Sequence, residues 1–505
     1  MRNLPSIGEE RAPHWLDRLA SLWPGRIALT HPDSDTHFTY VELKRRADAV
    51  AGSLAQRGVN AGDRVAAVMY NGVEMVDLFF ACGRLGAIFV PLNWRLSDRE
   101  LQFILDDVEP RIVVSEPELF DVSRSCSGKA PLVGFADLAG ELDAASLDMK
   151  QTMENAVPRM GQPWLILYTG GTTGTPKGAV LTHGSIAWNA INTNVSWGLS
   201  ERDVGPCFTP MFHTGGWNVF TLPLLMLGGR VVLPRKFDAA QAIAIVESER
   251  PTILFMVPTM FQLVAEEPDF ESADFSSLRW VISGGAPLPE PIAARWRSKV
   301  SIFKQGYGLT EVGPNNFATP DEEAGKRPGT VGRLTYFAHA RIVDISGHDV
   351  PTGERGELLL AGPHMCAGYW DQPQATADAI KDGWFHTGDI ARCDDDEFYY
   401  IVDRKKDMII TGGENVYPTE VETVVYEHTS VREVAVVGVP HSVWGEEVVA
   451  VVALKPGCRV TEDELREHTR KGLARYKVPK RFIIVDDLPK SSAGKIVRAE
   501  ARRLI

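Results

Sequence analysis

The chain has 505 residues, of which 44% are hydrophobic and 24% are charged, and its formal net charge is −13 at pH 7. A chain of this length and ordinary globular composition is expected to form at least two domains, and it is neither disordered nor fibrous. The acidic balance argues against non-specific nucleic-acid binding, because no excess of basic side chains is available to neutralise a phosphate backbone.

Cysteine usage and hydropathy exclude several further classes of protein. The six cysteines are scattered singly, without a C-x-x-C pair, so we expect free thiols rather than a zinc site or a disulfide scaffold. The N-terminus lacks the apolar stretch of a signal peptide. The longest apolar stretch, residues 217–234, is interrupted by proline and glycine and does not offer the ~20 apolar residues of a membrane span. We therefore predict a cytoplasmic protein, and peripheral membrane contact stays open.

The first 150 residues alternate between helical and strand patterns. Apolar residues recur at helical spacing over residues 43–54 and 76–85, and a glycine follows each pattern as a helix stop. Short apolar runs at residues 65–69 and 87–90 are typical of buried strands. Because strands that alternate with helices form parallel β-α-β units, we predict a sheet covered by helices. Similar strand patterns recur at residues 164–168, 230–233, 253–257 and 280–282.

The pattern changes beyond Arg404. The charged cluster at residues 403–407 interrupts the apolar pattern, and its composition suits either a hinge or an ordinary exposed turn. Two strand-like runs, a charged helix and a further strand follow at residues 434–439, 448–454, 462–474 and 482–485. We predict an N-terminal domain over residues 1–403 and a small α+β domain over residues 404–505, which is within the usual domain size.

A glycine- and threonine-rich loop is the most informative segment. Residues 168–178 read Tyr-Thr-Gly-Gly-Thr-Thr-Gly-Thr-Pro-Lys-Gly and follow an apolar strand. Glycines let the backbone approach an anion closely, while N–H groups, threonine hydroxyls and a lysine bind phosphate oxygens. The segment is not a Walker A loop, because Pro176 precedes Lys177 and Gly178 follows it. We interpret it as a phosphate-binding loop.

This loop and the motifs after it resemble the adenylate-forming enzymes, which include acyl-CoA synthetases, firefly-type luciferases and peptide-synthetase adenylation domains. The resemblance extends over about residues 30 to 500, and Gly170 stands where the family's loop commonly has serine. It implies an α/β fold: a large N-terminal domain with mixed β-sheets covered by helices, and a small mobile α+β C-terminal domain. The implied hinge residue is Lys406.

Several segments match the family's nucleotide motifs. In residues 305–311, the resemblance implies that Tyr307 stacks on adenine, Thr310 contacts phosphate and Glu311 reaches Mg²⁺. Asp389 is implied to accept the ribose hydroxyls and Arg404 to contact ribose and phosphate. The full set implied for ATP and AMP is Thr169, Gly170, Gly171, Thr172, Thr173, Gly174, Lys177, Gly284, Gly285, Ala286, Gln305, Gly306, Tyr307, Gly308, Thr310, Asp389, Arg404 and Lys495.

The catalytic and CoA-binding residues are also implied by the resemblance. Lys495 matches the family's catalytic lysine, implied to bridge the acid carboxylate and the α-phosphate; Thr310, Glu311 and His213 complete the catalytic set. The residues implied for CoA are Gly412, Gly413, Glu414 and Trp444. A basic run either contacts CoA phosphates or is a solvated surface; its members are Lys471, Arg475, Lys477, Lys480 and Arg481.

The acyl pocket is expected around residues 211–217, 283–287 and 305–311. Amino-acid-activating relatives carry an aspartate four residues before the tryptophan, where this chain has His213. An imidazole does not pair an ammonium group, so an amino-acid substrate is disfavoured. Glycines at 215 and 216 leave room for an elongated chain or a flat ring. The predicted pocket residues are His213, Trp217, Gly285 and Gly308.

The resemblance therefore predicts an ATP- and Mg²⁺-dependent acid–CoA ligase. The acid is activated as acyl-adenylate with release of pyrophosphate, and transfer to CoA gives acyl-CoA and AMP. The leading substrate is a medium- or long-chain fatty acid, and the alternative is an aryl or other hydrophobic carboxylate. A stand-alone adenylation enzyme loading a carrier protein, a luciferase-like oxygenase and a non-catalytic nucleotide-binding protein stay open. The family favours a homodimer.

Overall fold

The computed structural model describes residues 10–126, 128, 130–139, 158–169, 176–491 and 495–505. Its helices are α1 (Trp15–Leu22), α2 (Tyr40–Gln56), α3 (Val73–Leu85), α4 (Asp98–Val108), α5 (Phe120–Cys126), α6 (Phe135–Ala139), α7 (His183–Ser196), α8 (Thr214–Trp217), α9 (Thr221–Leu227), α10 (Ala239–Glu249), α11 (Pro258–Glu266), α12 (Glu290–Arg297), α13 (Pro373–Ala379), α14 (Pro418–Tyr426), α15 (Glu462–Gly472) and α16 (Arg498–Ala501).

The strands are β1 (Ile27–His31), β2 (Thr36–Thr39), β3 (Arg64–Val68), β4 (Ile88–Pro91), β5 (Ile112–Ser115), β6 (Leu132–Gly134), β7 (Pro163–Thr169), β8 (Lys177–Thr182), β9 (Val204–Pro206), β10 (Arg230–Val232), β11 (Ile253–Met256), β12 (Trp280–Ser283), β13 (Phe303–Gln305), β14 (Phe317–Ala318), β15 (Thr330–Leu334), β16 (His339–Val343), β17 (Gly356–Ala361), β18 (Ile380–Lys381), β19 (Trp384–Cys393), β20 (Tyr399–Arg404), β21 (Ile409–Thr411), β22 (Glu414–Val416), β23 (Val431–His441), β24 (Gly445–Leu454) and β25 (Arg481–Val485).

The N-terminal half contains the parallel sheets that the sequence predicts. A six-stranded sheet has the order β6-β5-β3-β4-β7-β8, and its neighbouring strands run parallel except β8, which is antiparallel to β7. The predicted helix stop after α3 is confirmed, since Gly86 takes the left-handed conformation that favours glycine. A second sheet has the order β2-β1-β10-β9.

A small parallel sheet positions the functional residues. Strands β11, β12 and β13 lie side by side, and Ser283 is the register partner of Gln305. Parallel strands end at the same edge of their sheet, where open α/β sheets bind their ligands. The segments that follow these strands therefore meet at one edge.

A seven-stranded sheet follows between residues 317 and 404. Its order is β14-β15-β20-β19-β17-β16, with β18 beside β19, and its paired strands run antiparallel. Hairpin connections replace the helical crossovers here. The segment therefore lacks the strand–helix alternation that marks the N-terminal half in the sequence.

Stacked aromatic rings hold the core of the large domain. The ring of Phe79 lies 4.1 Å from that of Trp164 and 4.8 Å from that of Trp217, nearly parallel to both. All three side chains are buried, and burying a large aromatic ring contributes roughly 2–3 kcal/mol. This stack joins helix α3, strand β7 and helix α8, so it supports the loop before α8.

The C-terminal part has its own sheet and core. The sheet order is β22-β21-β24-β23, and β25 pairs with β24. Buried aliphatic side chains such as Val421, Val436 and Leu465 pack between the sheet and helices α14 and α15. The chain leaves the seven-stranded sheet at Arg404 and enters this one at Ile409. The large and small domains of the expected fold are thus confirmed, whereas the exact boundary and movement about Lys406 stay predictions.

Two further features bear on the sequence predictions. Within the part of the chain that the structure describes, no helix is long and apolar enough to span a bilayer. The thiols whose side chains are described are free, and they belong to Cys82, Cys207, Cys366, Cys393 and Cys458. The cytoplasmic location and the homodimer stay predictions.

Candidate active site

The carboxyl ends of β12 and β13 place two predicted nucleotide motifs side by side. Gly284 and Gly285 follow β12, while Gly306 and Tyr307 follow β13. The Gly306 N–H donates to the Ser283 carbonyl over 2.7 Å, which holds the two turns together. The predicted adenine-binding residues therefore occupy one edge of the small parallel sheet.

A buried carboxylate forms the predicted ribose site. The Tyr307 hydroxyl donates to Asp389 Oδ2 over 2.5 Å, and Arg404 Nε lies 3.0 Å from Oδ1. Asp389 and Arg404 face each other on β19 and β20. Burial raises the pKa of Asp389, while Arg404 and the Tyr307 hydroxyl oppose that shift. The structure thus brings these three predicted residues together around an acceptor suited to vicinal hydroxyls.

The hairpin of β7 and β8 carries the predicted phosphate loop. Thr169 pairs with Lys177 at the loop end of this hairpin. The predicted loop residues between them lie outside the described residues; they are Gly170, Gly171, Thr172, Thr173 and Gly174. The hairpin also holds Gly178 close to the Ile166 side chain. It therefore presents a threonine hydroxyl and a lysine at the two ends of the loop.

Glu311 lies beside the same end of the hairpin. Its Oε1 lies 3.5 Å from the Thr169 hydroxyl and accepts a 3.0 Å hydrogen bond from the Tyr369 hydroxyl. The Lys177 ammonium lies 5.1 Å from the centre of the Tyr369 ring, a cation–π contact. Tyr369 was not predicted from the sequence, since it lies far along the chain from both motifs. Thr310 precedes Glu311 on the same turn and is half-buried.

The residues around Glu311 fit a magnesium ion. Mg²⁺ prefers oxygen ligands and is usually held by one or two carboxylates together with substrate phosphates. Glu311 supplies a buried carboxylate, and Thr169 supplies a hydroxyl beside it. When bound, Mg²⁺ neutralises phosphate charge.

Lys495 extends from the small domain to the edge of the parallel sheet. A β-carbon at Gly285 would lie 3.6 Å from Lys495 Nζ, so the ammonium group lies beside this turn. The Ser491 hydroxyl accepts from the Lys495 N–H, and the Ser491 N–H donates to the Lys495 carbonyl. Lys495 is exposed to solvent. Desolvation lowers its pKa, Arg404 lowers it further, and Asp389 opposes both.

The imidazole of His213 is neutral at pH 7. Its Nε2 is buried and has no hydrogen-bond partner in the described part of the chain. Burial lowers its pKa to about 4, with contributions from Lys495 and Arg95. A buried, unpartnered imidazole nitrogen costs free energy unless a ligand satisfies it. His213 therefore offers one hydrogen bond near Lys495.

Of two further predicted pocket residues, Trp217 takes another position, whereas the place of Gly308 in the pocket stays a prediction. Trp217 is fully buried and donates its indole N–H to the Met211 carbonyl, so it supports the pocket loop from behind rather than lining the pocket. A β-carbon at Gly308 would lie 2.3 Å from the Pro314 backbone. Gly308 is thus required by a close backbone approach. For Trp217, the motif position does not reveal which way the side chain faces.

A phenylalanine that the sequence did not single out lies beside the glycines. Phe255 is half-buried on β11; a β-carbon at Gly215 would lie 3.4 Å from its Cε1, and one at Gly284 would lie 3.2 Å from its Cε2. Two positions on, Val257 Cγ1 lies 3.6 Å from the corresponding position at Gly285. Side chains two apart on a strand share a face. Phe255 and Val257 therefore face the glycine turn beside Lys495.

The predicted CoA residues lie together on the small domain. The Gly412 N–H donates to the Trp444 carbonyl over 2.8 Å, and a β-carbon at Gly412 would lie 3.0 Å from the indole. Gly413 and Glu414 are exposed beside them, and 53% of Trp444 is exposed. An exposed indole of this size suits a ligand that covers it.

The basic run divides into two groups. Lys477 bonds Glu420 and Arg481 bonds Glu447, so both are neutralised within the small domain. The remaining members are exposed; they are Lys471, Arg475 and Lys480.

Comparisons with known proteins agree with this geometry. The model of the AMP-binding enzyme family matches residues 16–370, and that of the AMP-binding enzyme C-terminal domain matches residues 420–495. A feruloyl-CoA synthase of Amycolatopsis is 41% identical over 97% of this chain and 98% of its own length. An indoleacetate–CoA ligase of Aromatoleum aromaticum is 38% identical over 97% of each chain.

A long-chain-fatty-acid–CoA ligase of Mycobacterium tuberculosis is more distant, at 35% identity over 96% of this chain and 97% of its own. Among solved structures, ATP-bound MatB from Rhodopseudomonas palustris superposes with a TM-score of 0.88 at 32% identity, covering 98% of each chain. ATP and CoA are thus co-substrates of the reaction. The chain belongs to the AMP-binding enzyme family of adenylate-forming enzymes, and within it to the AMP-forming acid–CoA ligases.

Proposed function

We propose that the acid activated by this ligase is an aromatic carboxylate of the hydroxycinnamate type. The observation that carries the proposal is the placement of Phe255. A glycine lies at each edge of its ring: a β-carbon would lie 3.4 Å from Cε1 at Gly215 and 3.2 Å from Cε2 at Gly284. A ring held in this way resists swinging aside, because interiors are close-packed. It therefore limits the depth of the pocket and offers a face to a flat substrate.

The relatives support the same substrate class. The two more similar ligases are named for aromatic acids, at 41% and 38% identity, and the fatty-acid ligase is at 35%. The fatty-acid substrate that the sequence favoured is therefore kept as the second candidate. A carrier protein in place of CoA stays an untested alternative.

We assign the first step to the groups around Lys495. The step joins two anions, so positioning and charge neutralisation dominate it. Lys495 bridges the acid carboxylate and the α-phosphate, and Lys177 binds the released pyrophosphate. His213 donates or accepts one hydrogen bond at the carboxylate end of the pocket, and its neutral state avoids adding charge beside Lys495.

We assign nucleoside binding to the buried carboxylate and its partners. Asp389 accepts the ribose hydroxyls, with Arg404 and the Tyr307 hydroxyl holding it in place. The Tyr307 ring packs against adenine. Thr310 and Thr169 donate to phosphate oxygens beside Glu311, whose carboxylate is the metal ligand.

The second step uses the small domain differently. We propose that the small domain turns about Lys406 after adenylation, so that Lys495 withdraws and the CoA residues enter. Gly412 and Gly413 lie beside the exposed ring of Trp444, which would pack against the CoA chain. Thiol attack on the acyl-adenylate then gives acyl-CoA and AMP. One hinge thus serves two reactions at one site.

A panel of acids tests the substrate class. CoA-dependent AMP formation is measured with ferulate, cinnamate, benzoate, indoleacetate, octanoate and palmitate at saturating ATP and Mg²⁺. We expect kcat/KM for ferulate to exceed that for palmitate at least about tenfold, equivalent to ~1.4 kcal/mol of transition-state stabilisation. A higher value for palmitate than for any aromatic acid would overturn the proposal.

A substitution at Phe255 tests the observation itself. Phe255→Leu removes the rigid ring from between the two glycines, so the octanoate-to-ferulate ratio of kcat/KM should rise at least about fivefold. Phe337→Leu is the matched control, because this half-buried ring packs against Trp188. An unchanged ratio in Phe255→Leu would show that the ring does not limit the pocket.

A further inference from the structure

Arg498 is surrounded by carboxylates at the junction of the two domains. Its Nη1 lies 3.0 Å from Asp403 and 3.1 Å from Asp407. Its Nε and Nη2 form a two-pronged contact with Glu422, at 2.9 and 2.6 Å, and Nη2 also donates to the Thr419 hydroxyl. One guanidinium therefore joins three acidic side chains, a geometry that only arginine supplies.

These partners lie on both sides of the interdomain segment. Asp403 belongs to β20 of the seven-stranded sheet and is buried, whereas Glu422 and Thr419 belong to helix α14 of the small domain. The second oxygen of Asp403 accepts from the Thr419 N–H over 2.6 Å. Asp403 is thus the carboxylate of the large domain in this cluster. Rotation about Lys406 would separate it from Arg498 and from Thr419.

Arg498 is also linked to the catalytic lysine by a short path. It lies three residues after Lys495 and begins helix α16. A bridge between Lys490 and Ile496 closes the segment that carries Lys495. Because Arg498 is only three residues after Lys495, holding the guanidinium in place restricts the positions that the Lys495 side chain can take.

We propose that Arg498 and Asp403 form a latch that holds the small domain in the arrangement where Lys495 meets Gly285. Arg498 is a positioning residue: it acts through Lys495 and touches no substrate. The Glu422 contact keeps the guanidinium aimed at Asp403 in either arrangement, and the Asp403 contacts are broken when the domain turns. The inference rests on the proposed two-step use of the small domain.

The first test separates the two half-reactions. Asp403→Asn keeps the size of the side chain and removes its charge. With ferulate and ATP, we expect acyl-adenylate formation to fall about tenfold, because an ion pair that spans the junction is lost. Thioester formation from supplied feruloyl-adenylate and CoA should stay within about twofold of the native rate or rise. Arg498→Lys, which keeps the charge and loses the fork, should give the same split more weakly.

The second test does not depend on the acid. Arg404, Lys405 and Lys406 are exposed, and trypsin must draw this segment out of the fold to cut it, so the rate of cleavage after Lys406 reports how firmly the junction is held. Asp403→Asn and Arg498→Lys should be cleaved several-fold faster than the native enzyme. Arg432→Gln is the control, because Arg432 pairs with Asp487 inside the small domain. Its cleavage rate and half-reaction ratio should match the native values.

The outcomes distinguish the latch from the substrate proposal. Faster cleavage in both variants supports the latch even where ferulate proves inactive, and the substrate proposal alone then fails. Native cleavage rates in Asp403→Asn and Arg498→Lys would overturn the latch. An equal loss of both half-reactions would overturn it too, since that result indicates only structural damage.

Discussion

Gly285 and Lys495 touch each other across the two domains: a β-carbon on the glycine would lie 3.5 Å from the lysine Cε and 3.6 Å from Nζ. The contact joins the turn after β12 to the C-terminal segment. Val257 Cγ1 also lies 3.6 Å from that position. A β-carbon at this position would already be in van der Waals contact with both side chains, so larger substituents would crowd the lysine.

This contact predicts a large effect of Gly285→Val. The extra methyl groups would displace Lys495, and a misplacement of about 1 Å costs about a hundredfold in rate. We expect acyl-adenylate formation, measured as pyrophosphate release without CoA, to fall by that factor. Gly353→Val is the control, because Gly353 shares a positive φ, +87° against +85°, and its β-carbon would meet nothing within 4 Å. Equal losses in both variants would attribute the effect to backbone strain.

The hydroxyl of Tyr307 should matter for nucleotide use. Tyr307→Phe keeps the ring beside adenine and removes the 2.5 Å hydrogen bond to Asp389. A hydrogen bond to a charged group contributes about 1.5–3 kcal/mol, so kcat/KM for ATP should fall at least about tenfold. In the control Tyr400→Phe, the lost hydroxyl donates to Asp394 instead. If the two variants behaved alike, Tyr307 would have no special part in holding Asp389.

Burial of His213 should make the enzyme less stable in acid. Its pKa is about 4 in the folded chain, below the ordinary 6.5, so the unfolded chain binds its proton first. Stability from this group is therefore present above pH 6.5 and is lost as the pH falls towards 4. Between pH 7.5 and pH 5 the loss is about 2 kcal/mol.

His213→Gln should remove that part of the loss. Urea unfolding followed by tryptophan fluorescence at the two pH values measures the difference. His348→Gln, at an exposed histidine, is the control for the substitution itself. If His213→Gln lost as much stability between pH 7.5 and pH 5 as the native chain does, His213 would not be the source of the loss.

Local patterns predicted much of this fold. The helices α2 and α3, the Gly86 cap and the parallel strands follow from apolar spacing and glycine stops, which are properties of adjacent residues. The motifs also predicted the family and the activity. The antiparallel sheet between residues 317 and 404 was not predicted, because its pairing depends on hairpins rather than on strand–helix alternation.

Side-chain direction and long-range contacts were harder to predict. A motif placed Trp217 in the pocket, whereas the stack on Phe79 turns its ring into the core. Phe255 and Tyr369 reach the site only because distant segments meet there, and the strand pattern that contains Phe255 does not show which side chains it meets. The same holds for the Arg498–Asp403 pair, whose members are 95 residues apart in the chain.

The role of Lys495 is the central claim, and one comparison of half-reactions tests it most directly. In Lys495→Ala, acyl-adenylate formation from ferulate and ATP should fall at least about a hundredfold, because the charge that bridges the two anions is removed. Thioester formation from supplied feruloyl-adenylate and CoA should stay within about threefold of the native rate, since Lys495 has withdrawn by then. Lys455→Ala, at an exposed lysine of the small domain, should change neither rate. Native-like adenylation in Lys495→Ala, or an equal loss of both half-reactions, would contradict the account.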